Sequence, residues 1–546
     1  MQATQSSFDH DWLVIGSGFG GSVSALRLAQ KGYDVGVLEC GRRFADHEFP
    51  KSTGDFRHYF WRPRLGMKGI FRISNFKDVA VVSGCGVGGG SLGYANTLYV
   101  PPKPFFEDRQ WGDIQDWETA LAPHYDEAQR MLGVTMNEHD DPADQLLQEL
   151  GEELGVGETY KKTPVGVYFG EPGKTVPDPF FGGEGPDRTG CQLCGRCMVG
   201  CPHGSKNTLV KNYLHLAEKH GVRITPERTV IDVRPLGRGD GRDGYEVESV
   251  RSGAWFMKDR RMHRARSVVV AAGPLGTNTL LQRCRLSGSL ARISSRLGEL
   301  VRTNSEAILA VTVPEDYREE LVKRVAITSS IYPDANTHIE TVTYGNDGDS
   351  MRRLYTLLTG DGTRMTRPLK LLAHAAMHPG RFFTLLRAKN WSRRTIIILV
   401  MQTLDNAMAL RPKRGPLGTF WLQTEQDPER PNPTFIPVAN QAAEWFAKRT
   451  GGIAQSSVME ALLNIPTTAH ILGGAVIGSD PSRGVVDARQ HVFGYENLMV
   501  CDGSVIPANV GVNPSLTITA LAEHAMSFVP PAGQHEPAGE TIGTAG

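Results

Sequence analysis

Two groups of residues in this 546-residue chain have types and spacings that chemistry would require. The first is Cys191, Cys194, Cys197 and Cys201, in the run GCQLCGRCMVGCP from Gly190 to Pro202. C-x2-C-x2-C-x3-C-P is the spacing of a bacterial ferredoxin segment, whose thiolates wrap around a [4Fe–4S] cluster, and the small Gly195 and Gly200 give the backbone room. In two-cluster ferredoxins the fourth cysteine serves the other cluster, so ligation by all four or by three and a remote thiol both fit. Four thiolates also suit tetrahedral zinc, and a metal-free set of reduced thiols is the third reading. The second group is Gly16, Gly18 and Gly21, a G-x-G-x-x-G, with Glu39 following 18 residues after Gly21. The first glycine permits a tight turn, the second lets the backbone approach a pyrophosphate, and the third lets helix pack on strand. Glu39 can accept hydrogen bonds from an adenosine ribose. Its charge would repel the 2′-phosphate of NADP, which leaves NAD and FAD.

The elements needed to position these groups are legible around them. Trp12 to Ile15 reads as a short apolar strand, Ser22 to Gln30 as a helix whose N-terminus faces the phosphates, and Tyr33 to Leu38 as a second strand ending at Glu39. Phe44 to Lys77 has no clear period and reads as loops. Ala80 to Asn96 (AVVSGCGVGGGSLGYAN) has five glycines between Gly84 and Gly90, too many for a helix or strand interior, so a loop pressed against something flat or anionic is expected. Tyr160 to Gly183 reads as an irregular crossing segment, and Gly221 to Val250 alternates like antiparallel strands. Val268 to Ala272 is a buried strand before Gly273 and a helix, and Val325 to Thr343 alternates again. Asn497 to Ala525 reads as strand, acidic-glycine turn, loop and closing helix.

Composition sets bounds. The length calls for two or three intertwined domains. Lys+Arg and Asp+Glu are both 59, and this balance points to no nucleic-acid partner and no anionic membrane surface. The first residues, MQATQSSFDHD, lack the apolar core of a signal peptide. The most apolar run, Thr395 to Leu404, falls well short of the 18 or so residues of a transmembrane span. A cytoplasmic enzyme is the expectation, and in a reducing cytosol the eight cysteines should not form disulfides. The stretch from Pro530 reads as a disordered tail.

Three ordered blocks carry a family resemblance: Gly16 to Gly21 with Glu39; Gly84-Cys85-Gly86-Val87-Gly88-Gly89-Gly90-Ser91-Leu92; and a C-terminal block of His470-Ile471-Leu472-Gly473-Gly474, Asp502 to Pro507 and Gly511-Val512-Asn513-Pro514. From Asp11 to about Pro530 the chain resembles the glucose-methanol-choline (GMC) flavoproteins, and within them the mycobacterial-type cholesterol oxidase branch. The resemblance implies an α/β fold with a discontinuous Rossmann-like FAD-binding domain and a substrate domain on a mostly antiparallel sheet. The expected division places FAD-binding parts at 1–100, 208–300 and 466–528. A connecting or cap segment at 101–185, the cysteine-rich segment at 186–207, the substrate domain at 301–465 and a tail at 529–546 complete it. FAD contacts are expected from Gly16, Gly18, Phe19, Gly20, Gly21 and Glu39. Further contacts are expected from Gly86, Gly90, Ala95, Asn96, Thr97, Val230, Asp502 and Gly503.

By the same resemblance, His470 and Asn513 face the flavin, His470 to accept or position the alcohol proton and Asn513 to donate a hydrogen bond. Ile331 to Thr341 (IYPDANTHIET) resembles the segment bearing the carboxylate that shuttles a proton in Δ5 to Δ4 isomerisation, with one residue inserted, which makes Glu340 the candidate. Burial on its strand would raise its pKa, and His338 would share its face. The steroid oxidases of the family carry Asn-Gly-Gly-Met where this chain has Tyr94-Ala95-Asn96-Thr97, and Pro where it has Ile471. The leading expectation is oxidation of a sterol or similar hydrophobic secondary alcohol, with oxygen or an electron-acceptor protein taking the electrons. A GMC dehydrogenase for another alcohol passing electrons through an Fe–S cluster is the rival. A flavin-binding electron-transfer protein and a pyridine-nucleotide dehydrogenase are the remaining readings.

Overall fold

The apolar runs WLVI and VGVL fold as predicted into parallel strands: β1 (His10–Ile15) and β2 (Val35–Leu38), joined by α1 (Phe19–Gln30). Both runs are buried throughout, as strands covered on two faces must be. The computed structural model describes residues 8–416 and 419–534. The nucleotide sheet runs in the order Arg223–Thr225, β2, β1, Arg261–Val270, Tyr245–Arg251, Arg228–Pro235, and Leu498–Val500 pairs parallel to Arg261–Val270. Ile15 lies opposite both Leu38 and Val270, and Val270 opposite Val500. Four strands therefore end at one level, and their carboxyl ends open into the crevice where such sheets bind ligands.

A second, wholly antiparallel sheet runs Tyr355–Leu357, Ile453–Ser457, Ala307–Thr312, Thr395–Gln402, Thr337–Val342, Ile327–Asp334, Lys161–Lys162. A small third sheet joins the two. Phe71–Asn75 pairs with Ala80–Gly84, which takes Thr467–Thr468 alongside in parallel. It puts the second glycine loop beside the chain leading to His470.

Four readings need correction. Phe44 to Lys77 contains the strand Phe71–Asn75, formed because Ala80–Gly84 is available to pair with it; its five residues are too few to show a period. Arg223–Thr225 joins β2 in parallel rather than an antiparallel set, since the crossover helix Tyr213–Lys219 before it returns the chain in the same direction. Residues 101–185 do not act as one unit. Trp117–Leu132 packs on the closing helix Ser515–Ser527, and Arg27 ties α1 to both through Glu127 and Glu523. Pro142–Glu153 instead packs on the antiparallel sheet. Lastly, 530–532 are docked: the Tyr33 hydroxyl donates to the Pro530 carbonyl (2.9 Å) and the Ala532 N–H to that of Lys31 (2.8 Å). The rest of the expected tail, 535–546, lies outside the described residues, as do 1–7. Among the described residues no helix is long and apolar enough to cross a membrane.

Candidate active site

Phosphate-loop geometry explains the glycines. A Cβ on Gly16 would lie 2.3 Å from the Ala271 carbonyl oxygen, one on Gly20 1.8 Å from that of Cys501, and one on Gly21 2.1 Å from that of Gly16. At Gly18 a Cβ would meet nothing within 4 Å, so this position faces open space, as pyrophosphate approach requires. The second glycine loop rests on the first. Gly89 approaches so closely that its Cβ would stand 2.6 Å from the Gly18 Cα, and the Gly88 N–H donates to Ser17 Oγ (3.2 Å). Gly86 holds φ +129°, a backbone open to glycine, and Gly90 faces the ring of Phe19.

Glu39 has two tasks here. One carboxylate oxygen accepts from the Ser17 N–H (3.0 Å) and Oγ (2.8 Å), the other from the Gly41 N–H (2.8 Å), so it shapes the loop it was expected to serve. The Arg228 N–H donates to the Glu39 carbonyl (2.8 Å), which brings Val230 to the same end of the crevice. Asp502 is committed to the protein as well. It accepts from the Ser504 N–H (2.8 Å), the Gly273 N–H (2.9 Å) and the Thr277 hydroxyl (2.5 Å), fixing the Gly503 turn against the helix Gly273–Ser287.

The three candidate catalytic residues come from three separated segments: Asn513 reaches Glu340 directly, and Glu306, which holds His470, is near enough for its charge to act on Glu340. His470 follows Thr467–Thr468, and its Nδ1 lies against the carboxylate of buried Glu306. A carboxylate at Nδ1 favours the tautomer with its proton there, which leaves Nε2 to accept one. The other Glu306 oxygen accepts from the Ala469 N–H (2.8 Å). Glu340 sits on Thr337–Val342 with no exposure, and Asn513 Nδ2 donates to it (3.4 Å). Burial pushes the Glu340 carboxyl up to about 8; the Asn513 hydrogen bond partly offsets this, and neighbouring Glu306 adds to it. His338 does share that face, with Nδ1 4.0 Å from Glu340, stacked on Tyr332 and edge-on to Tyr99. Burial, with Lys161 assisting, lowers it to about 3, so it is neutral at any physiological pH.

The loops carrying these residues are clamped together. Buried Arg302 donates to the carbonyls of Pro507 and Asn406 (both 2.7 Å) and pairs with Asp405. The Asn304 amide spans Gly511 and Val512 (2.7 and 2.9 Å). Gly473, at φ +76°, packs its Cα against the Leu300 carbonyl, where a Cβ would lie at 2.0 Å. Sequence reasoning missed Glu306, Arg302 and Asn304, whose segment shows no motif.

Cys191, Cys194, Cys197 and Cys201 line one cavity with Asn96 and Lys206. No three of the four sulfurs lie within 4.8 Å of one another. Asn96 (φ +70°) is fully buried, and neither polar atom of its amide has a partner. Lys206, also buried, donates to the carbonyls of Leu92 (3.0 Å), Tyr94 (2.8 Å) and Cys197 (2.8 Å), which joins the cysteine segment to the end of the second glycine loop. Ala95 and Thr97 flank Asn96 on that connection.

Models of the GMC oxidoreductase family match residues 185–297 and 394–522. The chain is 52% identical over 536 residues to a cholesterol oxidase of Mycobacterium tuberculosis, covering 96% of this chain and 92% of that one. It is 47% identical over 533 residues to a cholesterol oxidase of Acinetobacter baumannii, with 96% and 95% covered. The solved pyridoxine 4-oxidase from Mesorbium loti shares the fold, with a TM-score of 0.58 at 15% identity and 95% and 99% covered. With two glycine loops stacked at the end of a parallel sheet and full-length relatives of this kind, the chain belongs to the GMC oxidoreductases, beside the mycobacterial-type cholesterol oxidases.

Proposed function

We propose that this protein oxidises the 3β-hydroxyl of a sterol to the ketone and then moves the Δ5 double bond to Δ4. The observation that carries the reading is the two neighbouring pairs His470–Glu306 and Glu340–Asn513, one proton acceptor for each of two steps, in a chain whose full-length relatives are cholesterol oxidases. GMC oxidoreductases bind FAD, and the stacked glycine loops, the open lip at Gly18 and the Glu39 end of the crevice fit it. When bound, FAD supplies the acceptor for the hydride leaving the carbinol carbon. Gly16 to Gly21, Glu39 and Val230 would hold its adenosine and pyrophosphate, and Gly86, Gly90, Ala95 to Thr97 and Gly503 the remainder.

His470, its proton fixed on Nδ1 by Glu306, accepts the hydroxyl proton at Nε2. Asn513 orients the alcohol oxygen and steadies Glu340. Glu340 as carboxylate takes a proton from C4 of the ketone and returns it at C6, so the isomerisation consumes nothing. Buried surroundings that raise its pKa make it a stronger base once ionised. For the cysteine segment the reading is a [4Fe–4S] cluster that passes electrons to an acceptor protein. No three of the sulfurs stand mutually within 4.8 Å, where a zinc tetrathiolate would set all four at roughly 3.8 Å, and Lys206 ties the segment to the flavin-side loop.

Glu340→Gln tests the sterol assignment. Anaerobic flavin reduction by cholesterol should persist within a few-fold, while the unconjugated 5-en-3-one accumulates in place of the 4-en-3-one. Unchanged formation of the conjugated ketone would remove Glu340 from the mechanism, and no flavin reduction by any 3β-hydroxysteroid in the wild type would remove the sterol.

A further inference from the structure

Between Asp361 and Asp405 the chain has eight Lys and Arg and no acidic residue. About half of this stretch folds into two consecutive helices, Thr366–Met377 and Pro379–Arg387, at the edge of the antiparallel sheet beside Tyr355–Leu357. Leu371 and Leu385 turn inward and pack with Leu357 and Ala461. That would suffice for an ordinary surface hairpin, yet the outward face is apolar too. Met365, Leu369, Leu372 and Ala376 recur at i, i+4, i+7 and i+11, one stripe of a helix. Met365 is 80% exposed, Leu369 64%, Leu372 65%, Met377 68%, Phe383 51% and Leu386 55%. A contiguous exposed apolar surface of this kind marks a docking face.

Its rim is cationic. Arg364, Arg367 and Arg394 pair with Asp78, Glu460 and Glu315, but Lys370, Arg381, Arg387, Lys389 and Arg393 have no carboxylate partner among the described residues. Exposed apolar residues on helices that also carry Lys370, Arg381 and Arg387 without carboxylate partners match the interface of a bilayer with anionic headgroups. A second copy fits poorly, because a two-fold interface sets the same patch against itself and would oppose these cations to one another. The hairpin is also connected to the active site. Buried Arg367 donates to the Thr434 carbonyl (2.8 Å) and to Asn464 Oδ1 (3.0 Å), six residues before His470. Leu462 and Leu463, 44% and 48% exposed, extend the apolar face on the adjoining helix Val458–Leu463. Past the second helix, Ala388 and Trp391 share a core cluster with Ala95.

We infer that the hairpin 365–387 is a membrane-docking element that seats the enzyme on an anionic phospholipid surface, from which an apolar alcohol enters the active site. The delivery role rests on the sterol reading; the docking does not. The holoenzyme should therefore be sedimented with sterol-free vesicles of phosphatidylcholine with and without phosphatidylglycerol. Binding is expected to the anionic vesicles, weakened by high salt and reduced about tenfold or more in Leu369→Asp/Leu372→Asp/Phe383→Asp. Lys370→Glu/Arg387→Glu, which leaves the packed face untouched, should weaken binding in the same direction. Both variants should keep their flavin and wild-type turnover of detergent-dispersed sterol, with turnover of vesicle-embedded sterol reduced. Failure of the wild type to bind anionic vesicles would overturn the inference, as would a dimer seen by light scattering that the triple substitution dissolves. Vesicle binding without turnover of any sterol would leave docking intact and overturn the substrate reading.

Discussion

Glu340 and His338 are adjacent side chains on one strand face, and burial moves them in opposite directions, the carboxyl up to about 8 and the imidazole down to about 3. Both are thereby uncharged near pH 7. This has a kinetic consequence for Glu340. In the proposed role Glu340 works as the carboxylate that takes the C4 proton, so isomerisation of added 5-en-3-one should rise with pH and level off above an apparent pKa near 8; Glu340→Gln should show no such limb. A profile already flat from pH 6 would contradict the buried, protonated state. Stability follows with a defined sign. The folded pKa exceeds the ordinary 4.5, so this group's contribution is full below about pH 4.5 and is lost as pH rises through about 8. Thermal denaturation of Glu340→Gln should therefore gain on wild type across that interval. Glu306 carries a separate expectation as a positioning residue. Glu306→Gln should lower kcat roughly tenfold with KM little changed, since it removes only the group that fixes the His470 tautomer. A changed KM alone would make Glu306 part of the binding surface.

Glycines of one motif have different tasks at the element scale, and alanine separates them. Gly18 has φ −73°, a backbone any residue adopts, and open space around its Cβ. Gly18→Ala should therefore leave the flavin-free protein's melting temperature unchanged while most flavin content is lost. Gly20→Ala places a methyl 1.8 Å from the Cys501 carbonyl oxygen, where α1 meets the turn that follows the strand Leu498–Val500. It should destabilise the fold itself by a few kcal/mol, as overpacking against rigid backbone does. Equal flavin retention in Gly18→Ala and wild type would mean the pyrophosphate lies elsewhere. What the sequence made legible follows the same division. The opening strand, helix and strand were readable because each is fixed by local period and by glycine geometry. Strand Phe71–Asn75 and the parallel placement of Arg223–Thr225 were not, since both depend on partners distant in sequence. Glu340 was found only through a resembling segment, and Glu306 not at all, because a lone Glu in TNSEAILAV looks like any surface carboxylate until the fold buries it.

Across the whole molecule, averages conceal what position reveals. A formal charge of zero argued against a membrane surface, yet the 43 residues between Asp361 and Asp405 are wholly free of acidic side chains. The candidate active site has the same character: His470 follows a strand of the small third sheet, Glu340 lies on the antiparallel sheet, and Asn513 on the loop leading into the closing helix Ser515–Ser527. The cysteine segment lies at the seam of these parts. Gly195 packs on Gly345 beyond the antiparallel sheet, while Lys206 reaches Leu92 and Tyr94 on the flavin side. A one-electron carrier at such a seam would give the reduced cofactor an outlet other than oxygen. Protein purified anaerobically should then contain about four iron and four acid-labile sulfide per chain, with a broad absorbance between the flavin bands that dithionite bleaches. Cys194→Ser should lose the iron and turn over more slowly with an artificial dye acceptor, while flavin reduction by substrate stays at its wild-type rate, because the thiols do not touch the hydride step. Stoichiometric zinc in place of iron, with dye turnover unaffected by the substitution, would make the segment a structural clasp and leave oxygen as the acceptor.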